Sequence, residues 1–279
     1  MLILLLLFST PLLAVSQAEA ERLFSQGQYP EALAAFESLA ETDTPEHLYL
    51  LARSQFHAGQ YAAAEDSLAA ALKHEPQNVE ALYLQGSVKV SRVSEVSIFS
   101  KVGLAKQALS SWQQLVTLDP THIEGVYALA SYYLSAPGIA GGDLKKGEAV
   151  LEDLGKLSPA WEKLGRFNLL SKQEKFAAAE IMLRQASNEI SGRAFPAYVL
   201  ANFYIQQQNF DQAQIALNDY ISREKTWNDP EPSMVAMLQG KIYAGLGRKA
   251  EARQELEKAL GLVRRPDLRA LVKAALEEL

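Results

Sequence analysis

The amino-acid sequence predicts an all-α protein, an α-solenoid of about seven helical hairpins with a C-terminal capping helix. Three observations predict it: small residues that recur seven times, a large apolar residue four positions after each, and a short polar turn before most of them. Repeats of about 20 to 50 residues are typical of stacked units that bury a core only together. The chain has 279 residues, of which 48% are apolar, so it can bury a sizeable core.

The repeat is defined by two positions on the second helix of each hairpin. The small residues are Ala32, Ala64, Ala108, Gly147, Ala179, Ala213 and Ala252. The large residues are Phe36, Leu68, Trp112, Leu151, Leu183, Leu217 and Leu256. Because residues four apart share a helix face, each small residue lets two helices approach closely, and each large one fills the space between successive hairpins.

These units resemble the tetratricopeptide repeat (TPR) family. The unit that starts at Val79 has Leu82 and Gly86 where that family places a large and then a small residue. The last unit comes close to the full family pattern, with Gly240, Tyr243, Gly247, Ala252, Leu256 and Ala259. The resemblance covers about residues 19–263 and implies a scaffold for protein contacts, not an enzyme.

The N-terminal residues 1–18 are interpreted as a signal peptide. Residues Leu2 to Phe8 are all apolar, Pro11 breaks a helix, and Ser16 and Ala18 are small residues suited to a cleavage site. The apolar run is far shorter than the roughly 20 residues that span a bilayer, so we expect no integral membrane segment in the mature chain. No Lys or Arg precedes the run, and a buried first helix is the alternative interpretation.

The rest of the chain divides into the solenoid, residues 19–263, and a capping helix, residues 264–279. From Pro266, Leu268, Leu271, Val272 and Leu276 are spaced to form one apolar helix face. Such a helix is suited to cover the open end of a stack of hairpins.

Two units carry insertions. Residues Val93–Val102 are extra residues between the helices of the third unit, and apolar spacing predicts that its second helix begins near Ser97 and overhangs its neighbours. This overhang either packs on the next hairpin or provides a docking surface for a partner.

The fourth unit has an expanded, glycine-rich turn. Pro137 disfavours helix at Ala136, and Asp143 is placed to cap the helix that follows. The loop candidates are Pro137, Gly138, Gly141 and Gly142. We expect a structural turn; an interaction loop or an anion site at Gly138–Asp143 are the alternatives. A nucleotide loop is disfavoured because no Lys-Ser or Lys-Thr pair follows the glycines.

Composition and motifs argue against several classes of function. The net charge is -6, which gives no general attraction to a phosphate backbone, so no nucleic acid partner is expected. Cysteine is absent, and none of the four histidines stands four residues from another. We therefore expect no metal, no cofactor, no catalytic residues and no enzymatic activity.

The first helices of TPR hairpins line the concave face, and alignment of the units predicts two rows of side chains there. The first row is Tyr49, Tyr83, Tyr127, Leu164, Tyr198 and Met237, and the second, one turn on, is Arg53, Ser87, Ser131, Asn168, Asn202 and Lys241. Tyrosine rings beside polar groups suit an extended peptide. Alternatively, the tyrosines pack between adjacent first helices. The basic clamp residues of chaperone-tail-binding members are absent from these rows.

Together these features predict an exported bacterial TPR protein, periplasmic or secreted, that binds a protein or an extended peptide in its concave face. One alternative is a structural subunit of an envelope complex that uses its flanks. Another is an exported ligand-binding protein or enzyme with its site at the Gly138–Asp143 loop.

The signal peptide yields a prediction about the native protein. Cleavage near Ala18 would give a mature N-terminus between Val15 and Glu21, which an intact mass of the native protein would reveal. A cytosolic protein that retains Met1 would contradict export.

Overall fold

The computed structural model describes residues 16–39 and 43–279. This part of the chain contains helices and no strands. The helices are α1 (Gln17–Ser25), α2 (Tyr29–Glu37), α3 (Pro45–His57), α4 (Tyr61–His74), α5 (Val79–Arg92), α6 (Ile98–Leu118), α7 (Ile123–Ser135), α8 (Leu144–Leu157), α9 (Pro159–Lys172), α10 (Phe176–Glu189), α11 (Phe195–Gln206), α12 (Phe210–Ser222), α13 (Pro232–Gly245), α14 (Lys249–Leu262) and α15 (Pro266–Glu277). A 3-10 turn, Gly138–Ala140, separates α7 from α8.

Consecutive helices pair into seven hairpins, from α1 with α2 to α13 with α14. Each hairpin packs on the next, and α15 packs on α13 and α14 at the end of the stack. The predicted all-α solenoid is confirmed. The predicted signal peptide lies mostly outside the described residues, which show Ser16 as the N-cap of α1.

The small-residue row lies where the two helices of each hairpin meet. All six alanines of the row are 0% exposed, and Gly147 is buried against Leu134. The large residues that follow are equally buried, from Leu68 at 0% to Trp112 at 6%. On the facing helix of the third hairpin, a Cβ at Gly86 would overlap the Trp112 indole. The repeat therefore sets the distance between helices.

The turn before each small residue has a left-handed residue in five of the hairpins. Gly27, Gly59 and Gly247 have φ values of 73°, 75° and 75° at this position. In the fifth and sixth hairpins, Glu174 and Gln208 adopt φ values of 58° and 56°, a conformation that is unfavourable for a residue with a Cβ. Packing of the hairpin therefore overrides local preference at these two turns.

The solenoid closes on itself, because its first hairpins contact its last. The Arg265 guanidinium lies over the Tyr61 ring, 5.8 Å from its centroid, and donates to Asp267 at 2.8 Å. Next to this contact, His57 stacks on Tyr29 at 4.2 Å and meets Phe24 edge-on at 5.3 Å. Because of this closure, the first and the last hairpins lie on opposite sides of one interior space.

The insertions take the predicted form. Helix α6 begins at Ile98 with Ser97 as its N-cap residue, and its first turn leaves Phe99 93% exposed.

Among the helices that the structure describes, none has both the length and the apolar character needed to cross a bilayer.

A pair of matched substitutions in α4 tests the role of the small-residue row. Ala64 is fully buried and Ala69 is exposed on the same helix. We expect Ala64→Leu to lower the free energy of unfolding by about 1 to 3 kcal/mol through overpacking, and Ala69→Leu to change it by less than about 0.5 kcal/mol. Chemical denaturation of both variants measures the difference. Equal urea midpoints would contradict the assigned helix packing.

His57 gives a prediction for the pH dependence of stability. Burial lowers the pKa of His57 to about 4; a hydrogen bond with the Trp227 backbone opposes this shift, and the charge of Arg53 adds to it. Because the unfolded chain binds this proton near pH 6.5 and the folded chain does not, the contribution of His57 to stability is complete above pH 6.5. It falls as the pH drops toward 4, by roughly 3 kcal/mol in total.

The substitution His57→Gln isolates this contribution. Other groups also titrate in this range, and Glu80 raises the pKa of His122, which acts in the opposite direction. We therefore expect the free energy of unfolding to change less between pH 6.5 and 4 in the variant than in the parent. If the free energy of unfolding depends on pH in the same way in both proteins, protonation of His57 does not destabilise the folded state and the prediction is wrong.

Candidate functional site

The predicted tyrosine row lies on the first helices, and its rings bridge neighbouring hairpins. Tyr127 on α7 meets Trp161 on α9 edge-on at 5.3 Å, and Tyr83 on α5 lies 5.7 Å from the ring of His122, the N-cap of α7. Leu164, Tyr198 and Met237 continue the row and are buried at 0%, 7% and 7% exposure. These residues therefore pack between first helices, whether or not a partner also contacts them.

The predicted polar row is joined to the tyrosine row in the middle of the solenoid. Asn168 on α9 donates to the Tyr127 hydroxyl at 3.3 Å and to Ser131 Oγ at 3.4 Å. Ser87 instead bonds to the Tyr83 carbonyl on its own helix at 3.2 Å. Asn202 and Lys241 are half-buried further along the stack. The structure thus brings the central members of the two rows together.

A connecting segment covers part of this face. Residues 223–231, here called the strap, join α12 to α13. Asp229 Oδ2 accepts from Thr226 N at 2.7 Å and from Thr226 Oγ1 at 3.0 Å, which closes a turn at residues 226–229. Arg223 fixes the start of the strap by donating to the carbonyls of Ile190 and Arg193.

The tip of the strap lies on the first helices of three earlier hairpins. The Trp227 ring is 5.1 Å from the Arg53 guanidinium of α3 and meets the Tyr83 ring of α5 edge-on at 5.9 Å. The next residue, Asn228, donates to Glu124 of α7 at 3.3 Å. The strap therefore occupies the concave face at the predicted site residues.

Burial changes the acid–base chemistry of the tyrosine row. It raises the pKa of Tyr49 and Tyr198 to about 12, and it raises the pKa of Tyr83 and Tyr127 as well. The phenols therefore stay protonated at neutral pH. They can donate and accept hydrogen bonds but carry no charge.

Arg53 has an unusual environment among the arginines that the structure describes. Its guanidinium lies over the rings of Phe24, Tyr49 and Trp227, at 4.6, 5.5 and 5.1 Å. Within the described residues it makes no hydrogen bond or ion pair, and its Nε is buried without an acceptor. Burial lowers the pKa of Arg53 because the desolvated charge is disfavoured, although Glu21 and Glu80 oppose this from a distance.

Two other half-buried arginines have carboxylate partners. Arg193 pairs with Glu124 at 2.7 Å and Arg223 with Asp219 at 2.6 Å. Arg53 is half-buried, and its Nε has no acceptor. Since a partly desolvated guanidinium gains from an acceptor, Arg53 is suited to receive one from a bound molecule.

An open cavity of about 710 Å³ lies beside Arg53. Helices α1, α2 and α3 form one wall, and the strap with α13 and α14 forms the other. Asp229 also lines it, and its Oδ1 is buried without a hydrogen-bond donor. Pockets of roughly 300 to 1,000 Å³ with mainly apolar walls and a few polar groups are typical ligand sites. The cavity therefore offers aromatic walls and the Arg53 guanidinium as a hydrogen-bond donor.

The glycine-rich loop is built as a turn. Gly141 has φ 98°, and a Cβ at Gly142 would collide with the Ala136 carbonyl. Tyr132 Oη lies between the carbonyl oxygens of Ala105 and Ala140, at 2.7 and 2.9 Å, so its single proton is shared between them and holds the loop against α6. Asp143 caps α8 as predicted, because its side chain accepts hydrogen bonds from the backbone amides of Lys145 and Lys146.

This loop is separate from the groove. Pro137 and Gly138 are exposed, and no loop residue lines the cavity. The amides of Gly141 and Gly142 bond to the carbonyls of Gly138 and Pro137, so they are not directed to an anion. Within residues 16–39 and 43–279, no group of His, Cys, Asp or Glu side chains is placed to hold a metal ion.

The strap and the cavity were not predicted from the sequence. The interval between Ala213 and Ala252 is longer than the interval before it, and the connection contains Trp227 and Pro230. This was a signal for a third insertion. The solenoid closure that makes the cavity depends on contacts far apart in the sequence, which repeat spacing does not report.

Two family models match parts of the chain. A model described as anaphase-promoting complex, cyclosome, subunit 3 matches residues 21–91, and a tetratricopeptide repeat model matches residues 198–268. No curated protein matches the chain.

Several solved structures are similar. A tetratricopeptide repeat protein from Parabacteroides merdae has a TM-score of 0.55 at 15% identity, over 93% of this chain and 95% of that chain. PilW, a type IV pilus biogenesis factor, has a TM-score of 0.46 at 16% identity, over 82% and 98%. A tetratricopeptide repeat protein from Thermus thermophilus has a TM-score of 0.42 at 21% identity, over 84% and 99%. The likeness to the P. merdae protein shows a shared fold, and the tetratricopeptide repeat model adds a local match at residues 198–268.

Proposed function

We propose that this chain is a protein-binding scaffold of the cell envelope that holds a segment of its partner in the concave groove. The observation that carries the proposal is the cavity beside Arg53, where a guanidinium without an acceptor faces an open space with aromatic walls. The tetratricopeptide fold is generally that of a non-enzymatic scaffold for protein interactions. We therefore assign the groove to binding, without a catalytic step.

A polypeptide segment matches the chemistry of this cavity. Arg53 has no acceptor among the described residues, and the carbonyl oxygens of a peptide backbone offer acceptors along its length. The rings of Phe24 and Tyr29 provide apolar surface for a side chain of the partner. An entirely apolar ligand would leave Arg53 without an acceptor, which is unfavourable for a partly desolvated charge.

The envelope location rests on the sequence of the N-terminus. The apolar run Leu2–Phe8, followed by small residues, is typical of a secretory signal. We propose a periplasmic or secreted mature protein on that basis, and the partner would then be an envelope or exported protein.

A second candidate function is that of a structural subunit that binds through a flank of the solenoid. The observation that favours it is the first turn of α6, where Ile98 and Phe99 are 74% and 93% exposed. Large apolar side chains side by side on a surface are typical of contact sites. The glycine-rich loop has weaker support as a ligand site, because its amides are already bonded.

Capture from a periplasmic extract tests these proposals. The immobilised protein should retain one protein at constant stoichiometry. We expect Arg53→Gln to weaken that binding by about tenfold to a hundredfold, the loss of a hydrogen bond to a charged group worth about 1.5 to 3 kcal/mol. The measurement is a titration of the purified partner against each variant.

Two matched variants control this experiment. Arg253→Gln makes the same chemical change at an exposed position on α14 and should leave the affinity unchanged. Phe99→Ser removes the exposed ring of α6 without touching the groove. If Phe99→Ser abolishes capture while Arg53→Gln binds as the parent does, the flank and not the groove is the binding surface.

A further inference from the structure

The strap differs from the connections at equivalent places in the solenoid. Residues 75–78 and 119–122 join the second helix of one hairpin to the first helix of the next with short turns. Residues 223–231 make the corresponding connection with a longer segment, which turns at residues 226–229 and points its tip into the groove. The extra length is therefore used to reach the concave face.

The tip of the strap contacts the groove as a bound segment of another protein would. Trp227 lies between the Arg53 guanidinium and the Tyr83 ring, and Asn228 bonds to Glu124, which Arg193 holds in place at 2.7 Å. An aromatic anchor next to a polar contact is the usual composition of the centre of a protein interface. The first helices thus form a receptor for an aromatic residue followed by a hydrogen-bond donor.

The strap does not satisfy this receptor fully. It leaves the Arg53 guanidinium without an acceptor, since Trp227 contributes only its ring. A segment that supplies an aromatic side chain and an acceptor for Arg53 would therefore bind more tightly than the strap at the same effective concentration.

We infer that the strap is an internal occupant of the groove, which a partner displaces with a segment of similar chemistry: an aromatic side chain between Arg53 and Tyr83 and a neighbouring donor for Glu124. This inference rests on the proposed function and specifies the partner segment. The strap would then set the affinity of the scaffold, because the partner must compete with a tethered segment.

A peptide with the sequence of residues 223–231 serves as the probe, labelled with fluorescein and titrated by anisotropy. The strap of the double variant Trp227→Ala/Asn228→Ala lacks both anchors, so the probe should bind this variant at least about tenfold more tightly than it binds the parent. In the parent, the tethered strap competes with the probe at an effective concentration in the millimolar range. A second peptide with alanine in place of its tryptophan should not bind. Glu224→Ala changes an exposed strap residue and should behave as the parent does.

Equal affinity of the probe for the parent and the double variant would overturn the inference, as would equal affinity of the two peptides. Circular dichroism melts establish that the variants are folded. If the double variant does not fold, Asn228→Ala alone removes the bond to Glu124 and keeps Trp227, and it should still bind the probe more tightly than the parent. Capture of a partner by the parent protein together with failure of the probe would overturn this inference and leave the proposed function standing.

Discussion

The close approach of two helices at each small residue is the constraint on which the rest of the structure depends. Because Ala64 and its equivalents have no side chain beyond Cβ, the paired helices meet there, and the large residue one turn later is buried beside that contact, as Trp112 is against Gly86. The same spacing recurs in all seven hairpins. The groove and the cavity depend on this packing, since it positions the first helices that the strap contacts.

Closure turns a repeat array into a protein with one distinct site. In an open solenoid each repeat contacts its neighbours, whereas here Arg265 near the C-terminus reaches Tyr61 in the second hairpin, and Trp227 reaches Tyr83 in the third. These contacts are mainly cation–π and edge-on aromatic pairs, each worth about 0.5 to 2 kcal/mol. Such contacts are specific in geometry and modest in free energy. They suit a contact that another protein must be able to replace.

The spacing of the repeats predicts the structural features that depend on residues close together along one helix or turn. The seven hairpins, the start of α6 after Ser97 and the cap at Asp143 depend on periodicity and local hydrogen bonds, which sequence reports directly. The same periodicity predicts that the rows containing Tyr83 and Arg53 lie on the first helices, which carry them in the structure. The strap was missed because contacts of Trp227 with α3 and α5 join residues more than a hundred positions apart. Alignment of repeats contains no information about such pairs.

The two interpretations of the tyrosine row are compatible once the strap is considered. Tyr127 packs against Trp161 and accepts from Asn168, so part of each ring stabilises the stack. Tyr83 presents its ring to Trp227, a residue that belongs to the same chain but arrives from a distant connection. Tyr83 is therefore a preorganised anchor. Its neighbours position the ring on one side, and a removable segment contacts it on the other. Preorganisation reduces the entropy lost on binding, so the packing that stabilises the fold also favours exchange of the strap for a partner.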